Sequence, residues 1–292
     1  MHLLTPLRCL RELTSTDGRR RLRRRWRAYL WRAAGRRKGA ATLECRLGGG
    51  LRIRVSTLDQ SISKALYVDG AFEDAELRLI RAWVGPNATV VDVGANIGLH
   101  TLVLADCVGA GGVVHAFEPS AAYDALQGNV ALNAFDARVV LNRRAVGAKA
   151  GVLTLMECKP GYEAFTSQGS PLKPEYATGR LLEVPMTSLD LYARDASIEV
   201  IDFLKVDAEG SEVQVLQGAQ DLLEARRIHA AMFEVNEYCL AQCGSSADEL
   251  IVRLRRGGFE LWVLERAGGE LVPCTDTPRG NWVTVVGRLP GC

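Results

Sequence analysis

Lysine is scarce in this chain: six in 292 residues, none followed by serine or threonine. A phosphate-gripping Gly-x-x-x-x-Gly-Lys-Ser/Thr loop is therefore excluded. Also missing are Gly-x-Gly-x-x-Gly, the fingerprint of dinucleotide binding, and Gly-x-Ser-x-Gly, the turn that presents a nucleophilic serine. Eight cysteines are scattered without a Cys-x-x-Cys pair, and no histidine stands at metal-ligand spacing, which argues against a zinc site. No apolar run approaches the ~20 residues of a membrane-spanning helix. The Arg-rich start offers no apolar signal-peptide core, so a reducing cytoplasm is the expected compartment.

What is present is unevenly distributed. Residues 1–40 hold 13 Lys/Arg against two acids (Glu12, Asp17), a net of +11, which leaves a net of −9 on the remainder. Within this arm Leu22, Trp26, Tyr29 and Leu30 recur at helical spacing among arginines, the pattern of a basic amphipathic helix. A solvated arm, or one docked on the acidic body, is the plainer reading. Peripheral contact with the inner face of a membrane, favoured by Trp26 and Trp31, is the second.

Beyond the arm, residues 43–47 and 51–55 alternate apolar and polar around Gly48-Gly-Gly50, which predicts a hairpin. Residues 73–83 predict an amphipathic helix ended by Gly85-Pro86. Strands and helices then alternate: strand 89–93 and helix 96–107, strand 112–118 and helix 121–133, strand 201–207 and helix 211–219, strand 230–235 and helix 246–256. A strand at 138–142 is read as continuing to Ala145-Val-Gly147, with a short one at 152–156. The polar segment 157–181 is long enough to cover a site, and two late strands, 259–264 and 282–286, suggest an antiparallel edge hairpin. This pattern predicts an α/β fold with a mostly parallel seven-stranded sheet. The expected organisation is a basic arm (1–40), a hairpin-and-helix lead-in (41–85) and the α/β domain (86–292).

Ligands of open parallel sheets sit beyond the carboxyl ends of the strands, at the switch in strand order. The tips here carry Asp92 and Gly94, Glu118, Ala145, Asp207 and Glu209, and Glu234. A carboxylate after the second strand, Glu118, suits the two hydroxyls of a ribose. The turn Gly94-Ala-Asn96-Ile-Gly98 has the wrong spacing for a pyrophosphate, and the buried carboxylate expected at Asp92 wants a cation, such as a ligand's ammonium. A cationic, phosphate-free nucleoside such as S-adenosylmethionine fits these positions. Phe117 and Val146 flank the place of an adenine, although core packing is the plainer role for both; His115, inside a strand, reads as core, and His229, at a strand start, as unremarkable.

The segments Val91-Asp-Val-Gly-Ala-Asn-Ile-Gly98, Phe117-Glu-Pro119, Ala145-Val-Gly147, Val184-Pro-Met-Thr-Ser-Leu-Asp190 and Leu204-Lys-Val-Asp-Ala-Glu-Gly-Ser-Glu-Val-Gln-Val-Leu-Gln-Gly-Ala219 resemble the FkbM-type S-adenosylmethionine-dependent methyltransferases. The lead-in Leu66-Tyr-Val-Asp-Gly-Ala-Phe-Glu73 is similar as well, and the likeness covers roughly 57–237. It implies a Rossmann-like class I methyltransferase fold and methyl transfer to an oxygen of a sugar, glycolipid or natural product. His100 departs from the aromatic residue common at that position, and the basic arm lies outside the shared pattern.

Asp92, Gly94, Asn96, Gly98, Glu118 and Ala145 are thus expected to hold the cofactor, and Asp207, Glu209 and Glu234 to supply the base that takes the acceptor proton. If the three acids share a cavity, repulsion raises the proton affinity of at least one, or a divalent cation holds them together. No metal ligand set is otherwise indicated. An RNA methyltransferase is disfavoured by the acidic body and by the lack of an aromatic motif for a flipped base. The non-enzymatic alternative is a methyltransferase-like binding scaffold.

Overall fold

A computed structural model describes residues 16–36, 41–162, 166, 168 and 174–292. The chain divides into two compact units, one ending at Phe72 and the other spanning Glu73–Cys292. This division departs from the expected boundaries near 40 and 85.

In the first unit, helix α1 (Thr16–Gly35) joins a hairpin of β1 (Thr42–Arg46) and β2 (Arg52–Ser56). The strands pair antiparallel, with Cys45 opposite Ile53 and Leu43 opposite Val55, as their alternation predicts. A short helical segment, Ile62–Lys64 running into Ala65–Asp69, completes the unit. The helix in the arm is present, and Leu22, Trp26 and Tyr29 share one face of it as their spacing predicts. Trp31, 4% exposed, is the tryptophan that packs, against Tyr67, whereas Leu22, Trp26 and Tyr29 face outward. Residues 1–15 and 37–40 of the arm lie outside the described residues.

Helix α2 (Asp74–Trp83) belongs to the second unit because Ala75, Leu79 and Ile80 are buried there and the helix packs on α3 (Leu99–Val108). The main sheet contains β3 (Thr89–Val93), β4 (Val113–Phe117), β5 (Val139–Asn142), β9 (Ile201–Val206), β10 (Ile228–Val235), β11 (Glu260–Leu264), β12 (Leu271–Pro273) and β13 (Val283–Arg288). Their order is β12-β11-β13-β10-β9-β3-β4-β5. From β10 to β5 every pairing is parallel; β13, β11 and β12 add antiparallel. The sheet thus has eight strands rather than seven, the extra one being the three-residue edge strand β12. The two late strands pair antiparallel towards this edge as expected, with β13 between β10 and β11 and β12 added outside β11.

Helices α4 (Ala122–Leu132), α5 (Leu189–Asp195), α6 (Glu212–Gln217), α7 (Gln220–Glu224), α8 (Glu237–Gln242) and α9 (Ala247–Arg256) accompany the strands. The helix expected over 211–219 is broken at Gly218, which approaches the Gly147 carbonyl so closely that a Cβ there would lie 2.1 Å from its oxygen. Ser246 caps α9, accepting from the Glu249 N–H, and Leu250, Ile251 and Leu254 fill the core beneath it. Phe117, Phe203 and Phe233 are fully buried, each contributing roughly 2–3 kcal/mol of apolar transfer energy.

A second, three-stranded sheet was not legible in the sequence. Strands β6 (Ala145–Val146), β8 (Ala177–Thr187) and β7 (Gly151–Cys158) lie in the order β6-β8-β7. Residues 145–146 therefore do not extend β5. Pro185 sits inside β8, where a missing N–H argues against a strand. It is tolerated because β6 pairs only with Met186 and Thr187, so no partner flanks Pro185 on that side. Of the segment 157–181, the described ends are paired strand, with Cys158 opposite Ala177; residues 163–165, 167 and 169–173 lie outside the described residues.

Candidate active site

Strand order reverses between β3 and β9: the chain runs from β3 out to β4 and β5, then returns to β9 and β10. This is the position where an open α/β sheet forms a crevice. Gly94 follows β3 there with φ +76°, and a Cβ on it would lie 1.8 Å from the Asp207 carbonyl oxygen, so only glycine lets the two strand tips meet. The Asp207 N–H donates to the Val93 carbonyl at 3.0 Å, and the Gly94 and Ala95 N–H groups both donate to Phe117 O. Gly98 precedes α3 and lies against Leu126.

Glu118 stands one residue beyond β4. Its Oε2 accepts from the Asn96 N–H at 2.8 Å and its Oε1 from the Ser120 N–H at 2.9 Å. The carboxylate is thereby aimed, with the Ser120 side chain as a further donor and lone-pair capacity remaining. Burial pushes its proton affinity up, opposed by Ser120 and Asn96. Asn96, in the left-handed region at φ 50°, turns the loop so that this N–H points at Glu118.

Asp92 is 0% exposed, and its neighbours correct one expectation: the ammonium opposite it is the protein's own. Thr101 donates to Asp92 Oδ2 at 2.6 Å, and Lys205, its cross-strand neighbour on β9, lies 3.6 Å from Oδ1, an ion-pair distance rather than a hydrogen bond. Lys205, 3% exposed, also donates to Gly94 O at 3.0 Å and faces Asp207 Oδ2 at 3.3 Å. Burial alone lowers a lysine's proton affinity; here Asp207, Asp92 and Glu73 more than offset it and keep the ammonium charged. Lys205 is the central residue that reading the sequence missed. Its signal was a lone lysine in the apolar strand Ile201-Asp-Phe-Leu-Lys-Val206.

Beside this pair lies a small polar recess of about 10 Å³, room for about one water, lined by Glu73, Glu76, His100, Asp207, Glu234 and Thr284, among others. Thr284 on β13 donates to Glu76 Oε1 at 2.8 Å. Arg266 bridges Glu76 at 3.5 Å and Glu234 at 3.2 Å. Burial, then Asp207, Glu73 and Glu209, push the Glu234 carboxyl up to about 10. Burial and Asp207 push Glu73 up to about 8. Burial holds His100 neutral, well below its ordinary range. At neutral pH the protonated Glu73 therefore lies 3.4 Å from a neutral His100 Nε2, so the two do not form an ion pair.

Of the expected base candidates, Asp207 and Glu234 line this recess. Glu209 does not; it sits beside it at φ 47°, its Oε2 accepting from the Cys239 thiol, and burial and Asp207 push it up to about 8. Glu212 fixes this loop by accepting from the Ala208 and Gly210 N–H groups. Asp92 and Glu118 do not line the recess either: Asp92 lies beneath it, and Glu118 is about 10 Å away at two strand spacings from β9. Ala145 is buried with Leu155 and Val184 in the cluster of the three-stranded sheet. Phe117 and Val146 are core residues. His115 is buried as expected, but its Nδ1 is hydrogen-bonded to the Tyr192 hydroxyl at 2.9 Å. Among the described residues no group of three or more His, Cys, Asp or Glu forms a metal site, and no helix is long and apolar enough to cross a membrane.

An aimed carboxylate after the second strand and a polar recess at the reversal of strand order lie on the sheet ends, where open α/β folds take their ligands. Residues 92–261, more than half of the chain, match the Methyltransferase FkbM domain, and the chain belongs to that methyltransferase family. It is 30% identical over 187 residues to the methyltransferase sdnD of Sordaria araneosa, covering 56% of this chain and 69% of that one. It is also 30% identical over 200 residues to the 31-O-demethyl-FK506 methyltransferase FkbM of Streptomyces tacrolimicus, covering 60% and 73%. Among solved structures, the methyltransferase FkbM of Methylobacillus flagellatus is 15% identical with a TM-score of 0.41, covering 76% of this chain and 52% of that one.

Proposed function

We propose that this protein transfers a methyl group from S-adenosylmethionine to a hydroxyl oxygen of a small acceptor: a sugar, a glycolipid or a natural product. The observation that carries the reading is the Glu118 carboxylate, fixed by the Asn96 and Ser120 N–H groups with lone-pair capacity remaining for ribose hydroxyls. The residues present suit that cofactor. Glu118 would hold the ribose, and the turn from Gly94 to Gly98 would receive the amino-acid portion without a phosphate-binding glycine pattern. Asp92 supports the turn from below through Lys205, which grips the Gly94 carbonyl.

When bound, S-adenosylmethionine supplies an electrophilic methyl on a sulfonium. The chain's own groups align the acceptor and take its proton. Glu234 and Glu73 line the recess and carry their protons at neutral pH. Asp207 lines the recess with one oxygen on the Lys205 ammonium and offers the other to an acceptor hydroxyl. This assigns the general base to Asp207, a role worth about 10²–10⁴ in rate. Four carboxyl groups around one recess favour a hydroxyl-rich acceptor over an apolar one.

Calorimetry of the full chain with S-adenosylmethionine tests the cofactor. Binding that Glu118→Ala weakens at least about tenfold, in line with a lost charged hydrogen bond, supports the site. Nucleotide binding without S-adenosylmethionine binding overturns it. Incubation with sugar and natural-product panels, read by the mass of one added methyl, tests the acceptor; Asp207→Asn abolishes turnover while retaining cofactor affinity.

A further inference from the structure

The outward face of α1 has no role in the methyl-transfer reading. At about 100° per residue, Leu22, Trp26 and Tyr29 fall on one side of the helix, and they are 41%, 60% and 57% exposed. The Trp26 and Tyr29 rings stack on one another at 5.6 Å. Trp31 falls on the opposite side and packs on Tyr67, with Arg27 over the same ring and Arg24 paired to Asp69. The helix is therefore anchored by one face, and the aromatic strip is held facing outward on the other. Exposed arginines border the strip along both edges, Arg19 and Arg23 on one side and Arg25 and Arg32 on the other.

We infer that α1 is an interfacial helix that docks the protein on an anionic lipid bilayer. A Trp–Tyr pair with an apolar body and polar tip is suited to the boundary between headgroups and acyl chains. Arginines on both edges of such a strip reach lipid phosphates while their stems lie along apolar surface. Single-stranded nucleic acid also combines cations with aromatic rings, but it needs ring faces free to stack on bases. Here the two rings stack on each other and continue into Leu22, a continuous apolar strip that matches acyl chains better than bases. The inference does not depend on the methyl-transfer reading.

Co-sedimentation of the full chain with phosphatidylcholine vesicles, with and without phosphatidylglycerol, tests it. The expected result is binding to the anionic vesicles and little to the neutral ones. Trp26→Ser with Tyr29→Ser is expected to weaken partitioning about tenfold or more through lost apolar insertion. Arg23→Gln with Arg25→Gln is expected to weaken it about thirtyfold, each cation near an anionic surface contributing about fivefold. Helical circular dichroism unchanged from the parent shows that the exposed positions were altered without unfolding. Equal binding by the aromatic variant, no preference for anionic vesicles, or binding to single-stranded RNA in place of vesicles each overturns the inference.

Discussion

The Asp92 carboxylate and the Lys205 ammonium face each other at 3.6 Å across neighbouring strands, both out of contact with solvent. Lys205 is a buried cation among several acids, and it ties β3, the turn after it and Asp207 together. Removing one partner of such a buried pair strands the other. Lys205→Met is expected to lose about 3–5 kcal/mol of stability in urea unfolding. The double variant Asp92→Asn/Lys205→Met is expected to recover part of that loss, because position 92 no longer buries an uncompensated charge. A double variant no better than the single one contradicts the pairing.

Stability falls as pH rises from 6.5 to 9. Glu73, Glu209 and Glu234 carry folded-state values of about 8, 8 and 10, above the ordinary value near 4.3 of an unfolded glutamate. In this window the native state binds more protons than the unfolded chain, so each such group lowers the unfolding free energy by up to about 1.4 kcal/mol per pH unit. His100 acts in the opposite sense, but only below its unfolded value of about 6.5. Glu234→Gln is expected to flatten the slope by about one proton, measured by denaturant unfolding across the pH range.

Gly94→Ala combines two penalties. A Cβ would overlap the Asp207 carbonyl oxygen, and φ is +76°, a conformation that costs an alanine about 1–2 kcal/mol. Loss of more than about 2 kcal/mol, with weakened S-adenosylmethionine binding from displaced strand tips, is expected from thermal unfolding and calorimetry. An unchanged midpoint contradicts the contact.

Binding of the proposed donor, S-adenosylmethionine, is expected to release protons at pH 7. A sulfonium arriving near Glu73, Glu209 and Glu234 favours their ionised forms, so affinity rises between pH 6 and 8. Binding heats in buffers of different ionisation enthalpy measure the release. S-adenosylhomocysteine, which lacks the positive sulfur, releases fewer protons, and Glu234→Gln reduces the difference between the two ligands.

Much of this architecture was legible in the residues. The alternation of strands and helices places β3, β4, β9 and β10 within one or two residues of their observed ends, and Glu118 and Asp207 fall at the strand tips. What escaped was set by contacts distant in sequence. Nothing local tells that Trp31 rather than Trp26 turns inward, since a helical period fixes which residues share a face but not which face docks. Glu76 and Arg266 look like ordinary surface charges until β13 brings Thr284 beside the first and Glu234 reaches the second. Pro185 hid β8, because a proline inside a strand is acceptable only when one flank is bare.

The place of β13 between β10 and β11 governs when this protein can become whole. Both neighbours emerge from the ribosome before the strand that joins them, and Thr284 arrives 208 positions after the glutamate it bonds. Closure of the sheet is thus a late, long-range event. Trimming the C-terminal strand removes an interior stave of the sheet rather than its fringe, and leaves β10 and β11 each with an open edge, a template for aggregation.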